Sequence, residues 1–237
     1  MLRLHTVTTG RLRAGCVALV ITVTGAACLA PVATPLLAAG RAPQQSLNLN
    51  LATSQELSAV SIGSLVAEVN AIWWNSNLSL IWRTADVSEP LPAMPESEDW
   101  LRVLVLARQP ASSEAPTFTV GELVRYEGAR PLAIASLTGA RRVVDEAARF
   151  HILEGPRDYD RRLGVVLGRA VAHEIGHYLL GDSTHSSKGL MRATIDAQEF
   201  ADVRSRAFML DAGAQSHLTQ LAASRLRSSS VIANSTR

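Results

Sequence analysis

Residues His173-Glu174-Ile175-Gly176-His177 read H-E-x-x-H, and a third histidine, His185, stands eight positions further on. On a helix, residues four apart lie on one face, so His173 and His177 can aim two imidazole nitrogens at a single ion. Zinc accepts such nitrogens at about 2.0–2.1 Å, and a catalytic site needs three protein ligands with one position left for water. His185 is the natural third ligand. Asp182 in the intervening loop and Glu199 on a downstream helix compete with it as oxygen ligands. Glu174 adjoins the first ligand, where a carboxylate can take the proton from water at the metal. The pattern implies one catalytic Zn²⁺. A structural zinc, or histidines lining an exposed helix, would use the same residue types.

These side chains need a helix to carry them. The run from Asp160 to Ala172 has no proline, and Leu163, Val166, Leu167, Ala170 and Val171 recur at helical spacing. Pro156 with Asp158 or Asp160 supplies a start signal, and Gly181 supplies a stop. Both histidines therefore fall in the last two turns of a long, half-buried helix.

Beyond Gly181 the chain resembles the metzincin clan of zinc endopeptidases, whose pattern is H-E-x-x-H-x-x-G-x-x-H followed by a methionine turn. Here the stretch is His177-Tyr-Leu-Leu-Gly181-Asp-Ser-Thr-His185, with one extra residue in each gap. Gly181 allows the chain to reverse after the helix. His185-Ser-Ser-Lys-Gly-Leu-Met191 is similar to the clan's third ligand running into its methionine turn. By that resemblance Met191 forms an apolar floor under the metal without ligating it; a Met after Gly-Leu also serves as plain core. Some metzincins carry a tyrosine after the Met, and Arg192 stands there. The likeness spans residues 165–195 or so.

The amino terminus carries a different signal. Arg3, Arg11 and Arg13 precede an uncharged run from Ala14 to Gly40 that is rich in Ala, Val and Leu, with small residues at Ala38-Ala39. A positive region, an apolar region and small residues make an export signal over 1–39. A retained membrane anchor over 14–38 is the rival reading, because the stretch exceeds the twenty or so residues a spanning helix needs. Cys28, after Gly25-Ala-Ala, offers a lipidation alternative. Contact with a membrane is expected only through this segment. Both cysteines, Cys16 and Cys28, lie within it, so a chain cleaved near Ala39 has neither disulfide nor thiol. The whole chain holds 23 basic and 21 acidic residues, and losing the three arginines leaves 20 against 21. That balance gives no warrant for a nucleic-acid partner.

The remainder reads as one domain. Residues 40–56 are polar and are expected to be a linker, 57–227 the folded domain, and 228–237 a Ser-rich disordered tail. A helix is expected over 57–74, and strands over Leu78–Trp82, Trp100–Ala107, Phe118–Val124 and Leu132–Leu137. A short helix follows at Arg141–Phe150, and helical composition returns over Ala197–Arg227 with a break near Gly213. Trp73, Trp74 and Trp82 read as core or as a ligand platform. The fold class is α+β (mixed α/β). The resemblance adds an N-terminal sheet subdomain, an active-site helix, a methionine turn and a C-terminal helix.

The expected activity is hydrolysis of a peptide bond in a peptide or protein substrate, with zinc on His173, His177 and His185 and Glu174 as general base. As in the clan, the substrate would add to an edge strand, for which Leu132–Leu137 is the candidate. Two other classes use the same residues: an inactive exported zinc-binding interaction protein, and a metal-dependent amidase acting on non-protein material.

Overall fold

The computed structural model describes residues 45–76, 78–88, 100–107, 120–125, 130–150, 155–180 and 185–220. In chain order these give β1 (Gln45–Thr53), α1 (Ala59–Trp73), a 3-10 turn (Trp74–Ser76), β2 (Leu78–Asp86), β3 (Trp100–Leu106), β4 (Gly121–Val124), β5 (Leu132–Ser136), α2 (Leu137–Ala148), α3 (Pro156–Leu180) and α4 (Ala197–Ala201). Residues 212–220 are also helical. The fold is mixed α/β, as expected. The export segment with its two cysteines, the tail at 228–237, and Gly181 and Asp182 lie outside the described residues.

The five strands form one sheet in the order β2-β1-β3-β5-β4. The first four run parallel, and β4 is antiparallel to β5 at the edge. Two expectations are corrected here. Within the linker expected over 40–56, Gln45–Thr53 is instead an inner strand of the sheet. Its Leu47, Leu49 and Leu51 alternate with Ser46, Asn48 and Asn50, and the leucines are all at most 1% exposed. The polar half of a period-2 pattern disguised a strand as loop. Leu132–Ser136 is likewise not an edge strand, since β3 pairs with one side of it and β4 with the other.

One face of the sheet builds the core. Leu49 opposes Leu101, Leu51 opposes Val103, and Val103 opposes Ala133 across the strands. These side chains join Leu65, Val69, Ile72 and Trp73 of α1 and Leu163, Val166, Leu167, Ala170 and Val171 of α3 in one cluster. Trp73 is therefore core, while Trp74 next to it is 81% exposed. Serines start two of the helices: Ser58 accepts from Ser61 N at 3.2 Å, and Ser136 from Gly139 N at 3.0 Å.

α1 and α3 pack with their backbones close together. A Cβ at Gly164 would overlap the Ser61 carbonyl, and Ser61 Oγ donates to Asp160 O at 2.9 Å. A buried arginine on α3 extends that contact. Arg169 is 1% exposed, and its Nε donates to Glu68 Oε1 on α1 at 2.7 Å. Its NH1 donates to the carbonyls of Glu199 and Phe200 at 3.1 and 2.9 Å, and its NH2 to those of Asp202 and Ser205 at 3.0 and 3.4 Å. The guanidinium also lies 4.1 Å from the Phe208 ring centroid. All five of its N–H donors are thereby matched. Burial disfavours its charge, and the Glu68 carboxylate opposes that effect. Removing one partner from such a pair costs about 3–5 kcal/mol, because the other charge is left buried alone.

The helix expected from Ala197 as far as a break near Gly213 is also corrected. Helix α4 stops at Ala201, and Asp202–Leu210 turns back before the helical residues 212–220. The carbonyls that a continued helix would bond internally point to Arg169 instead, and Met209 O accepts from Leu190 N at 3.1 Å.

Two alanine substitutions should separate packing from propensity. Gly164→Ala should lower stability by about 1–3 kcal/mol, the usual effect of forcing a methyl into a packed interface. Gly63→Ala should raise it by up to about 1 kcal/mol, since that exposed helical glycine has nothing within 4 Å of an added Cβ. Urea denaturation of each variant gives both signs.

Candidate metal centre

α3 runs unbroken for 25 residues to Leu180, about 37 Å at 1.5 Å per residue. It places His173 and His177 one turn apart near its carboxyl end, with ring centroids 4.6 Å apart and Nε2 atoms 3.0 Å apart. His185 comes from the chain that returns after the helix. Its ring centroid lies 5.3 Å from that of His173 and 5.0 Å from that of His177. One ligand atom from each of the three falls within 4.8 Å of the others.

This donor set fits zinc. His173 Nδ1 and the Leu190 carbonyl are 2.8 Å apart. A carbonyl only accepts, so Nδ1 carries the proton and Nε2 presents its lone pair toward His177. Tetrahedral zinc with nitrogens at 2.0–2.1 Å separates neighbouring ligand atoms by about 3.3 Å, close to the 3.0 Å found. Burial pushes His173 down to about 4, with the Leu190 bond opposing and the two neighbouring histidines adding a little. His185, much more exposed, is also lowered, first by desolvation and then by His177. Neutral imidazole is the form that binds metal.

A closed turn delivers His185. Ser186 N donates to Met191 O at 2.8 Å, and Ser186 bridges Arg192. Gly189 sits at φ +68°, and a Cβ there would come within 2.7 Å of Met209 O. Glycine is what that turn requires. Met191 is buried, and its sulfur packs where a Cβ of Gly176 would be, against the helix face between the two ligands. Met191 thus supports α3 from below, and the turn that carries it also supplies the Leu190 carbonyl that orients His173.

Of the competing ligands, Glu199 is engaged elsewhere. Both its oxygens accept from Arg192, at 3.0 and 2.7 Å, so it does not join the histidine group. Arg192, in the position where some metzincins carry tyrosine, also donates from Nε to Gly189 O at 3.2 Å.

Glu174 points from the same helix into the cleft that the histidines line, a cavity of about 1140 Å³. It is only 5% exposed. Burial pushes its carboxyl up to about 8, and the charge of Glu122 adds to the effect. The edge strand β4 forms the facing wall, and it comes so near that a Cβ at Gly121 would lie 2.7 Å from Glu174 Oε1. Gly121 was not singled out from the sequence. The available signal was a glycine inside the expected strand Phe118–Val124, which marks close backbone approach. Arg169 was missed too, although a lone charge inside the run Val165–Val171 announces a buried partner.

No protein-family model matches the chain, and no curated protein is similar to it in sequence. Among solved structures, the crystal structure of archaemetzincin from Methanopyrus kandleri matches with a TM-score of 0.46 at 13% identity, covering 77% of this chain and 98% of the other. The reading of the centre rests on its own residues.

Zinc should raise the thermal midpoint of the protein, because a ligand that binds only the folded state stabilises it by about 2.7 kcal/mol at a hundred times its Kd. His173→Ala and His177→Ala should each abolish that rise together with stoichiometric zinc, and His185→Ala should weaken both strongly. Metal analysis beside calorimetry checks all three. Full zinc in His185→Ala would return the third ligand to Asp182.

Proposed function

We propose that this chain is a zinc-dependent endopeptidase of the metzincin kind that hydrolyses peptide bonds with Glu174 as general base. The observation that carries the reading is the convergence, in one open cleft, of three histidine ligands and a buried carboxylate on the same helix. Zinc held there would acidify water and polarise a carbonyl.

The chain's own residues supply the rest. Hydrogen bonding to Leu190 keeps the His173 ring in one tautomer and orientation, as outer partners of metal ligands do. Desolvation makes the Glu174 carboxylate a stronger base than an exposed one, and zinc on the three histidines would favour its ionised form. It takes the proton of the attacking water and hands it to the leaving amine. Among the described residues β4 pairs with β5 along one edge only. The other edge offers backbone groups to an extended substrate, which strand addition would align beside Glu174. This supports a peptide substrate over the compact amide of a non-protein compound. The inactive reading gains nothing from the site, because a structural zinc is normally closed by four ligands, whereas His185 is exposed and the cleft is open.

The charged and apolar amino-terminal segment supports export as part of the same proposal. Among the described residues, no helix is long and apolar enough to cross a membrane.

Glu174→Gln keeps the size of the side chain but cannot accept a proton at neutral pH. It should retain stoichiometric zinc and lower peptide hydrolysis by about 10²–10⁴-fold or more. Cleavage within about threefold of wild type would exclude Glu174 as the base. Gly121→Ala should keep zinc as well and lower kcat, because the added methyl must displace the Glu174 carboxylate; an unchanged kcat would mean that the carboxylate's seat against β4 is immaterial.

A further inference from the structure

Arg125 follows directly on the edge strand β4 and lines the cleft with the three histidines and Glu174. Its NH2 donates to the carbonyl of His177 at 2.9 Å, one of the last four carbonyls of α3, which have no partner within the helix. The contact ties the far end of the cleft's strand wall to its metal helix.

The cleft has two other arginines in its lining, and both are matched. Arg169 pairs with Glu68, and Arg192 pairs with Glu199 through two bonds. Neither of the two lining acids besides Glu174 forms an ion pair with Arg125. Asp196 accepts from the backbone of Gln198 and Glu199 as the cap of α4, and Glu122 lies toward the Glu174 end of β4. Arg125 is exposed, and among the described residues no carboxylate pairs with it. A guanidinium carries five N–H donors in a planar fork that matches a carboxylate. One of them is held by His177 O, which fixes the fork at the rim, and among the described residues no other bond engages the rest.

We propose that Arg125 is a specificity-determining residue that selects substrates carrying a carboxylate at the His177 end of the cleft. This deepens the peptidase reading and rests on it. The carboxylate is either an Asp or Glu side chain near the scissile bond or the carboxyl end of the substrate chain. Both present the same two oxygens to the guanidinium.

The test uses the zinc-loaded protein and matched fluorogenic peptides. These carry Glu, Gln or Lys at each of the three positions on either side of the cleaved bond, with free or amidated carboxyl termini. At one position, or at the free terminus, the carboxylate should raise kcat/KM by about tenfold over its neutral counterpart, the effect of one charge-assisted hydrogen bond. Loss of the preference on amidation assigns the carboxylate to the chain end, and its persistence assigns it to the side chain. Arg125→Glu should reverse the order so that Lys is favoured over Glu, and Arg125→Lys should keep part of the original preference. Ratios between peptides are independent of how much variant folds, so a merely structural role for Arg125 would leave them unmoved. Equal cleavage of Glu, Gln and Lys peptides by wild type overturns this proposal and leaves the peptidase reading standing, as does an acidic preference that survives Arg125→Glu. Failure of zinc-loaded wild type to cut any peptide overturns the peptidase reading, and this proposal with it.

Discussion

A single buried cation, Arg169, sets the position of almost everything around the metal centre. It stands one helical turn before His173 on α3 and ties that helix to Glu68 on α1 and to four carbonyls between Glu199 and Ser205. A charge removed from water must be fully hydrogen-bonded or it destabilises the fold, so the chain around it has little freedom. The segment after α4 cannot remain helical and also surrender those carbonyls. It folds back, and in doing so brings Met209 O to Leu190 N. Leu190 in turn presents its own carbonyl to His173. The orientation of the first metal ligand is thus linked, through one turn of chain, to an ion pair one helical turn earlier on α3.

The cleft follows from the same arrangement. α3 is held to α1 where Gly164 removes a side chain from the interface, and Met191 fills the space under Gly176 between the ligands. On the open side, β4 approaches until only glycine fits beside Glu174. The carboxylate is therefore desolvated by a strand whose other edge has no partner among the described residues. The wall that desolvates Glu174 is also the one that would, in the proposed function, align a substrate. His185, by contrast, is exposed and depends on the turn closed between Ser186 and Met191.

The local parts of this arrangement were legible in the sequence. The spacing of His173 and His177 on a helix, the apolar face of α3 and the mixed α/β class needed only periodicity and the reach of an imidazole. The turn through Gly189 to Met191 was legible through resemblance. What escaped depended on pairing distant in the chain. β1 reads as a polar linker because five of its nine residues, Gln45, Ser46, Asn48, Asn50 and Thr53, are polar, and only the partners on either side reveal it as an inner strand. β5 looked like an edge because nothing local to it announces that β4, lying earlier in the chain, caps it. The break after Ala201 has its cause at Arg169, some thirty residues upstream. Glu199, a reasonable ligand by type, is engaged by Arg192 instead, which spacing alone does not disclose.

The central claim is that three histidine nitrogens, and no carboxylate, hold a zinc ion at the end of α3. An anomalous difference map of zinc-loaded crystals, recorded on either side of the zinc edge, tests it most directly. The account predicts one peak within about 2.0–2.1 Å of a nitrogen from each of His173, His177 and His185, with a remaining position open to the cleft. A peak bound by Asp182 or Glu199 in place of His185, or closed by a fourth protein ligand, would contradict it.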